Sequence, residues 1–570
     1  MLKRLSMIIL LLCSGLAIAQ DDPVPTLVPP TPLPVSPTAP QDALLSESTV
    51  SRVVREGNLR VGVLYNEPAM GELRLNGDIV GYDADLARAI ADVWNVELEL
   101  VQVTRLNRFD KLQAGDVDLL MAAVVHQRAH DAQFSFSQTY RLGKQAMMIP
   151  ADDDIRSPFA LANRPVGYVI GTPAEVALNR WIERTRVPVQ PRPYLTLDQA
   201  YRALFGGEIA GLVGRDSHLL RISANDLDAV TIFDDAIAVE AYGIVMRRQD
   251  APMRNLINRT LQYLLTQKDN LNADSTLEQL HSTYLPNDDF PFDALPIYAN
   301  VGSAPSLATY NVDIAYPQLY AVPRVRQNNM VRVAGLIDGD GLPESQARVA
   351  QINRAIAERI AERWGVRVEF VAGDPIELVA SGQADMAIGI APDWSLTNQI
   401  DFTQPYLLHG DRLLIPTRRD YERFGDLRNR IVATVIGDEG ARDRADAWAD
   451  SIGANVRGFE TFEESIARTL LQDNNADAVF GDSLLLIPHL QRNPDDLRLG
   501  PAWYSREYIA VAVPDNDPDF RNLVNYTLQE IARDQTLDAI LAPVTAPDEA
   551  SLRLDIWSGS AQYLGFTLTR

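Results

Sequence analysis

Residues 59–64 read LRVGVL, residues 84–94 ADLARAIADVW and residues 96–103 VELELVQV. The first is a short apolar run of strand length. The second places Leu86, Ile90 and Val93, with Ala87 and Ala91 between them, at helical spacing. The third alternates as a strand, and Leu119 to Val124 (LLMAAV) reads as a further buried strand. A strand–helix–strand rhythm of this kind predicts α/β layers with mainly parallel sheets.

Working outward, the chain repeats itself. Phe136-Ser137-Gln138-Thr139-Tyr140 returns as Phe402-Thr403-Gln404-Pro405-Tyr406, Val169-Ile170-Gly171 as Val435-Ile436-Gly437, Asp216-Ser217 as Asp482-Ser483, and Tyr242 as Tyr508, each 266 residues later. Arg254-Asn255-Leu256-Ile257-Asn258 returns 267 residues later as Arg521-Asn522-Leu523-Val524-Asn525. A solenoid has a far shorter period. The offset predicts a duplicated domain of ordinary size.

Lys3 and Arg4, the apolar run Met7–Ile18 and the small residues Ala17 and Ala19 predict a secretory signal over 1–19. The Pro- and Thr-rich stretch 20–44 predicts an extended spacer. Domain 1 is expected over 45–285 with its second lobe over 150–235, a surface connector over 286–325, domain 2 over 326–546 with its second lobe over 416–505, and a C-terminal extension over 547–570. Cys13, the only cysteine, falls in the signal, so no disulfide is expected. The net charge of −24 argues against nucleic acid, which selects basic surfaces. Membrane contact is expected only through a permease or an uncleaved signal.

Gly81-Tyr82-Asp83-Ala84-Asp85-Leu86-Ala87-Arg88-Ala89-Ile90-Ala91 resembles the signature of the family 3 solute-binding proteins, the amino-acid receptors of bacterial ABC importers. Gly115 to Leu119, Phe136 to Tyr140, Gly171-Thr172 and Glu240 to Ile244 follow in the family's order. The resemblance implies two tandem type II periplasmic-binding-protein-like domains, each of two α/β lobes that close on a hinge around a small polar, amino-acid-like ligand. It implies a periplasmic or extracellular protein, with an ABC permease as partner, and neither cofactor nor metal.

The resemblance also points to site residues. A ligand carboxylate is forked by an Arg six residues before Phe136; that position is His130, with Arg128 two residues earlier, and either fits. Thr172, at a helix start before Pro173, suits an anion or is an ordinary cap. Asp216 matches the family's turn aspartate, an acceptor for a ligand ammonium; were Arg215 to face the cleft instead, an acidic ligand would fit. Tyr65 and Met70 stand where ligand side chains stack, or belong to the core.

In the second copy Trp394 and Leu396 replace Arg128 and His130, Asp438 replaces Thr172, and the signature is lost around Gln351 and Ile352. Only Asp482 persists as a candidate. Domain 2 is therefore expected to have lost the family's site. No H-E-x-x-H, paired-Cys or G-x-S-x-G motif occurs. A non-catalytic binding protein is expected; the alternatives are a ligand-sensing or partner-binding ectodomain, and a dehydratase-like enzyme on the same fold.

Overall fold

The computed structural model describes residues 45–67, 69–268, 273–286, 290–292, 295–336, 344–435, 440–451, 456–461, 466–471, 476–546 and 559. The expected signal, the spacer, Asp438 and all of the C-terminal extension but Gly559 lie outside the described residues. Among the described residues no helix is long and apolar enough to cross a membrane.

The duplication is visible strand by strand. In the first copy, lobe 1 is a sheet ordered Glu97–Val103, Asn58–Leu64, Leu119–Leu120, Val245–Arg247, Phe134–Phe136. The first three strands are parallel, and Val245–Arg247 returns antiparallel between the last two. The second copy repeats this order with Arg367–Phe370, Met330–Ala334, Met386–Ile390, Glu507–Pro514 and Ile400–Phe402. Each second lobe is also a mixed sheet, built on Pro165–Val169 and Gly211–Arg215 in one copy and on Ile431–Val435 and Ala478–Asp482 in the other. Two antiparallel strands, Arg141–Pro150 and Ala238–Tyr242, carry the first chain segment from lobe to lobe and back.

The helix predicted from residue 84 spans Tyr82–Trp94 and buries the expected face, Leu86, Ala87, Ile90 and Ala91. Its entry requires Gly81: φ is +134°, and a Cβ there would stand 2.5 Å from the Met70 carbonyl oxygen. Asp83 then explains why the strand expected over 119–124 stops at Leu120. Its carboxylate accepts the Ala123 N–H at 2.7 Å and the Tyr140 hydroxyl at 2.6 Å. The bond to Ala123, whose φ is +48°, pulls the chain off the sheet into a loop at the C-terminal edge of the parallel strands. That edge is where α/β sheets bind ligands.

Burial pushes the Asp83 carboxyl up to about 6, against the bonds from Tyr140 and Ala123. A folded-state value above the ordinary 3.8 means that stability is lost as pH rises from about 4 through 6. Asp83→Asn should abolish that loss in urea titrations at stepped pH while keeping the fold. Asp83→Leu, which strands two buried donors, should cost about 2–3 kcal/mol. The second copy has already made the milder exchange. There Asn353 accepts the Tyr406 hydroxyl at 2.7 Å, so the degenerate signature, expected around Gln351 and Ile352, centres on Asn353.

The connector is a correction. It was expected on the surface, but Phe290, Leu295 and Leu307 are buried, and Tyr298 lies against Trp394 with ring centroids 5.0 Å apart. Phe290, Leu295 and Leu307 join the core cluster formed with residues of both copies, while Leu319 faces water. Helix Ala321–Asn328 already belongs to the second copy, as Thr49–Glu56 opens the first. The Asp517 carboxylate accepts the Ala321 N–H just as Asp250 accepts that of Thr49.

The two copies meet in a nearly two-fold arrangement in which helices Ala251–Thr266 and Pro518–Arg533 each bond to the opposite copy. Trp394 Nε1 donates to Gln262 at 2.9 Å, and Arg128 Nη2 donates to Gln529, the repeat partner of Gln262, at 2.8 Å. Arg254 of the first copy pairs with Asp401 of the second, both fully buried, and Arg248 with Asp519 at 2.5 Å.

Candidate functional site

The cleft of the first copy is crossed by charge. Glu67, on the short strand Asn66–Glu67 of lobe 1, accepts from Arg105 of the same lobe at 2.5 Å. It also accepts from two residues of lobe 2, Arg215 Nη1 at 3.0 Å and His218 Nε2 at 3.1 Å. Arg215 continues to Glu240 on the hinge strand at 2.9 Å, and Glu240 accepts Tyr242 Oη at 2.9 Å and Gln145 Nε2 at 2.8 Å. Burial by itself would raise the Glu67 carboxyl; the His218 hydrogen bond and the Arg105 and Arg215 charges outweigh it and hold it down at about 2. The lobes are thus joined across the cleft by an ion-pair network.

One cleft cation is left over. Arg108 opens helix Arg108–Ala114, and its Nη1 donates to the Ala122 carbonyl at 2.8 Å. Its Nε is buried without a hydrogen-bond partner, and among the described residues it has no carboxylate. Burial, together with the charges of Arg105 and Arg215, lowers its pKa to about 10. Nothing in the sequence singled Arg108 out. It lies outside the quoted motifs, and only the folding of the 122–125 loop beside it brings it to the cleft.

The residues expected from sequence fare unevenly. Arg128 is not in the cleft. It is buried against the second copy, stacked 3.8 Å from the Tyr526 ring centroid and bonded to Gln529 and the Gly559 carbonyl. The turn Arg128–His130 faces the partner copy, and the available aromatic face and acceptors there outcompete solvent. His130 is packed among aromatics, 4.7 Å from Phe109 and 6.3 Å from Phe136, and burial lowers its pKa. Thr172 is a helix cap whose hydroxyl turns back to the Val169 carbonyl at 2.6 Å. The anion expected at that helix start is the chain's own Glu175, which accepts the Gly171 N–H at 2.7 Å. Met70 is core, its sulfur accepting from Arg141 at 3.3 Å. Tyr65 is half-buried and tied to the Leu100 carbonyl at 3.2 Å.

Asp216 is corrected by strand register. Gly214 pairs with Ala146 and Arg215 with Gln145; in the second copy Gly481 pairs with Arg412 and Asp482 with Asp411. Arg215 therefore stands where Asp482 stands, and each caps the following helix. The turn position expected to hold an ammonium acceptor carries a guanidinium in the first copy. Asp216 is displaced toward the hinge, where it accepts the Lys144 N–H at 3.2 Å and the Ser217 N–H at 2.6 Å.

In the second copy, Asp482 is consumed internally. It accepts the Leu484 N–H at 2.8 Å and pairs with His409 at 2.7 Å. Burial disfavours the His409 charge, but the Asp482 hydrogen bond and charge prevail and raise its pKa.

A family model for the bacterial extracellular solute-binding proteins, family 3, matches residues 59–287 and again 349–543, well over half the chain. Among curated proteins, the amino-acid-binding protein AabA of Dichelobacter nodosus is 28% identical over 218 residues, 37% of this chain and 81% of AabA. The membrane-bound lytic murein transglycosylase F of Actinobacillus succinogenes is 25% identical over 191 residues, 33% of this chain and 36% of that protein. Among solved structures, an ancestral arginine-binding protein bound to arginine is 25% identical; the match covers 40% of this chain and 98% of that one, with a TM-score of 0.33.

Proposed function

Because the chain belongs to family 3 of the bacterial extracellular solute-binding proteins, we propose that its first copy captures a small carboxylate-bearing solute, an amino acid or a related acid, outside the cytoplasm and presents it to an ABC permease. The observation that carries this reading is Arg108, a cleft guanidinium with no carboxylate partner among the described residues. A guanidinium forks a carboxylate more strongly than any neutral donor pair does. Arg215, in the place of an ammonium acceptor, is already held by Glu67 and Glu240. Solute that touches both lobes stabilises the closed form, and only to the extent that it binds that form better.

The reading is of a binding protein without catalysis. Glu67, Glu240 and Asp216 are each held by cations or backbone N–H groups, which leaves none of them poised as an acid or base. The second copy, with its single candidate Asp482 satisfied internally, serves as a packing partner of the first.

A thermal-shift screen of the purified protein tests this. Common amino acids and short dicarboxylates at millimolar concentration should include one that raises the unfolding midpoint saturably. Arg108→Gln should cancel that rise. No shift from any member of the panel sinks the reading.

A further inference from the structure

The near two-fold symmetry between the copies is broken at one ion pair. Arg254 and Arg521 are repeat partners on helices Ala251–Thr266 and Pro518–Arg533. Arg254 reaches across to Asp401, on the strand Ile400–Phe402. The residue that symmetry places opposite Arg521 is Ser135, since Ser135 pairs with Met246 in one copy as Asp401 pairs with Val513 in the other. The position that gives Arg254 its carboxylate therefore holds a serine for Arg521. In its place lies a cavity of about 70 Å³ between the copies, lined by Ser135, Gln138, Asn258, Arg521, Asn522 and Asn525 among others.

The lining offers donors. The Arg521 Nε is buried without a hydrogen-bond partner, and among the described residues its guanidinium has no ion pair. Asn258 Oδ1 accepts the Gln138 N–H and Asn525 Oδ1 the Gln404 N–H, each at 2.8 Å, which sets both amide orientations with the Nδ2 groups as donors. Gln138 Oε1 accepts from Gln262 at 3.2 Å, which leaves its buried Nε2 unpaired. One carboxylate lines the cavity, Asp131, and both its oxygens are engaged, by His126 at 2.6 Å and by the Tyr526 hydroxyl. Unsatisfied buried donors around a guanidinium are costly unless an acceptor fills the space. The space is about five times what one ordered water needs.

We propose that this cavity is a binding site for a small oxyanion, which supplies to Arg521 the carboxylate that Asp401 supplies to Arg254 and so ties the two copies together. The site is separate from the cleft between the lobes, so its test is independent of the solute reading. Sulfate, phosphate and acetate are titrated into the purified full chain at constant ionic strength, by calorimetry and by thermal unfolding. A saturable heat is expected, with a midpoint rise of about 2–4 °C at tenfold saturation. A preference for sulfate or phosphate over acetate identifies a tetrahedral anion, and the reverse a carboxylate.

Two variants read the mechanism. Arg521→Gln should abolish the saturable heat. Ser135→Asp should restore the symmetric ion pair internally, raise the midpoint without any anion, and abolish the heat as well; it keeps the proposal testable if Arg521→Gln fails to fold. Absence of saturable binding by all three anions overturns the proposal, as does binding that persists undiminished in Ser135→Asp.

Discussion

Replacing Arg254 by Met is expected to lower the unfolding free energy by about 3–5 kcal/mol, the usual cost of removing one partner from a buried ion pair. Arg254 and Asp401 are each almost wholly inaccessible to water, and they join the two copies. Asp515 adds to the penalty. Burial and the Asp401 charge push its carboxyl up to about 7, and the Arg254 charge is the largest influence acting the other way. Without the guanidinium, two buried acids repel each other. The Asp515 pKa rises further above its unfolded value, so the variant gains stability as pH falls from 8 toward 5 and the gap to the parent narrows. Urea titrations at pH 8, 7, 6 and 5 read this. A constant gap across that range would show that Asp401 and Asp515 find another partner. The double variant Arg254→Met, Asp401→Leu should be less damaged than the single one, because both partners of the ion pair leave together.

Arg215→Met should cost a similar amount, about 3–5 kcal/mol, and open the first copy. It leaves Glu67 and Glu240 without the guanidinium that holds them together across the cleft. Glu67 sets the pH window. Its folded-state pKa of about 2 lies below the ordinary 4.5, so its contribution is present above about 4.5 and lost as pH falls toward 2. That acid-sensitive step should shrink in the variant. Opening is read by small-angle X-ray scattering as a larger radius of gyration at neutral pH. An unchanged radius together with unchanged stability would mean that Arg105 and His218 alone keep the lobes joined. Lys is a poor substitute at 215, since one ammonium cannot fork two carboxylates on opposite sides.

The two variants mark where sequence reading succeeded and where it stopped. Leu86, Ile90 and Ala91 announced their helix because a 3.6-residue period survives whatever lies beyond it. The duplication was legible for the same kind of reason: five short echoes at offsets of 266 or 267 residues reflect two sheets of the same strand order. The site was much less legible. Arg128 has the right residue type two places from the expected position, yet it is drawn to Tyr526 and Gln529 of the other copy, some 400 residues away in sequence. Asp216 has the right neighbours, yet one extra residue in the turn shifts it off register and puts Arg215 in its place. Local spacing cannot reveal such outcomes, because a long side chain settles on whichever partner the fold brings within a few ångströms.

The sequence by itself determined the α/β class, the two copies, and the Gly81–Ala91 signature whose Gly81 and Asp83 prove to shape the loop at the cleft edge. Those features rest on interactions between near neighbours or on repetition, and both are written linearly. The tertiary structure alone decided which charges face the cleft, that Glu67 joins the lobes, that Arg108 has no carboxylate partner among the described residues, and that Arg521 faces Ser135 where Arg254 faces Asp401. Electrostatic pairing acts through space over a few ångströms and falls off with distance and solvent access. Its partners are therefore chosen by how the sheets and helices pack, and only the folded chain shows them.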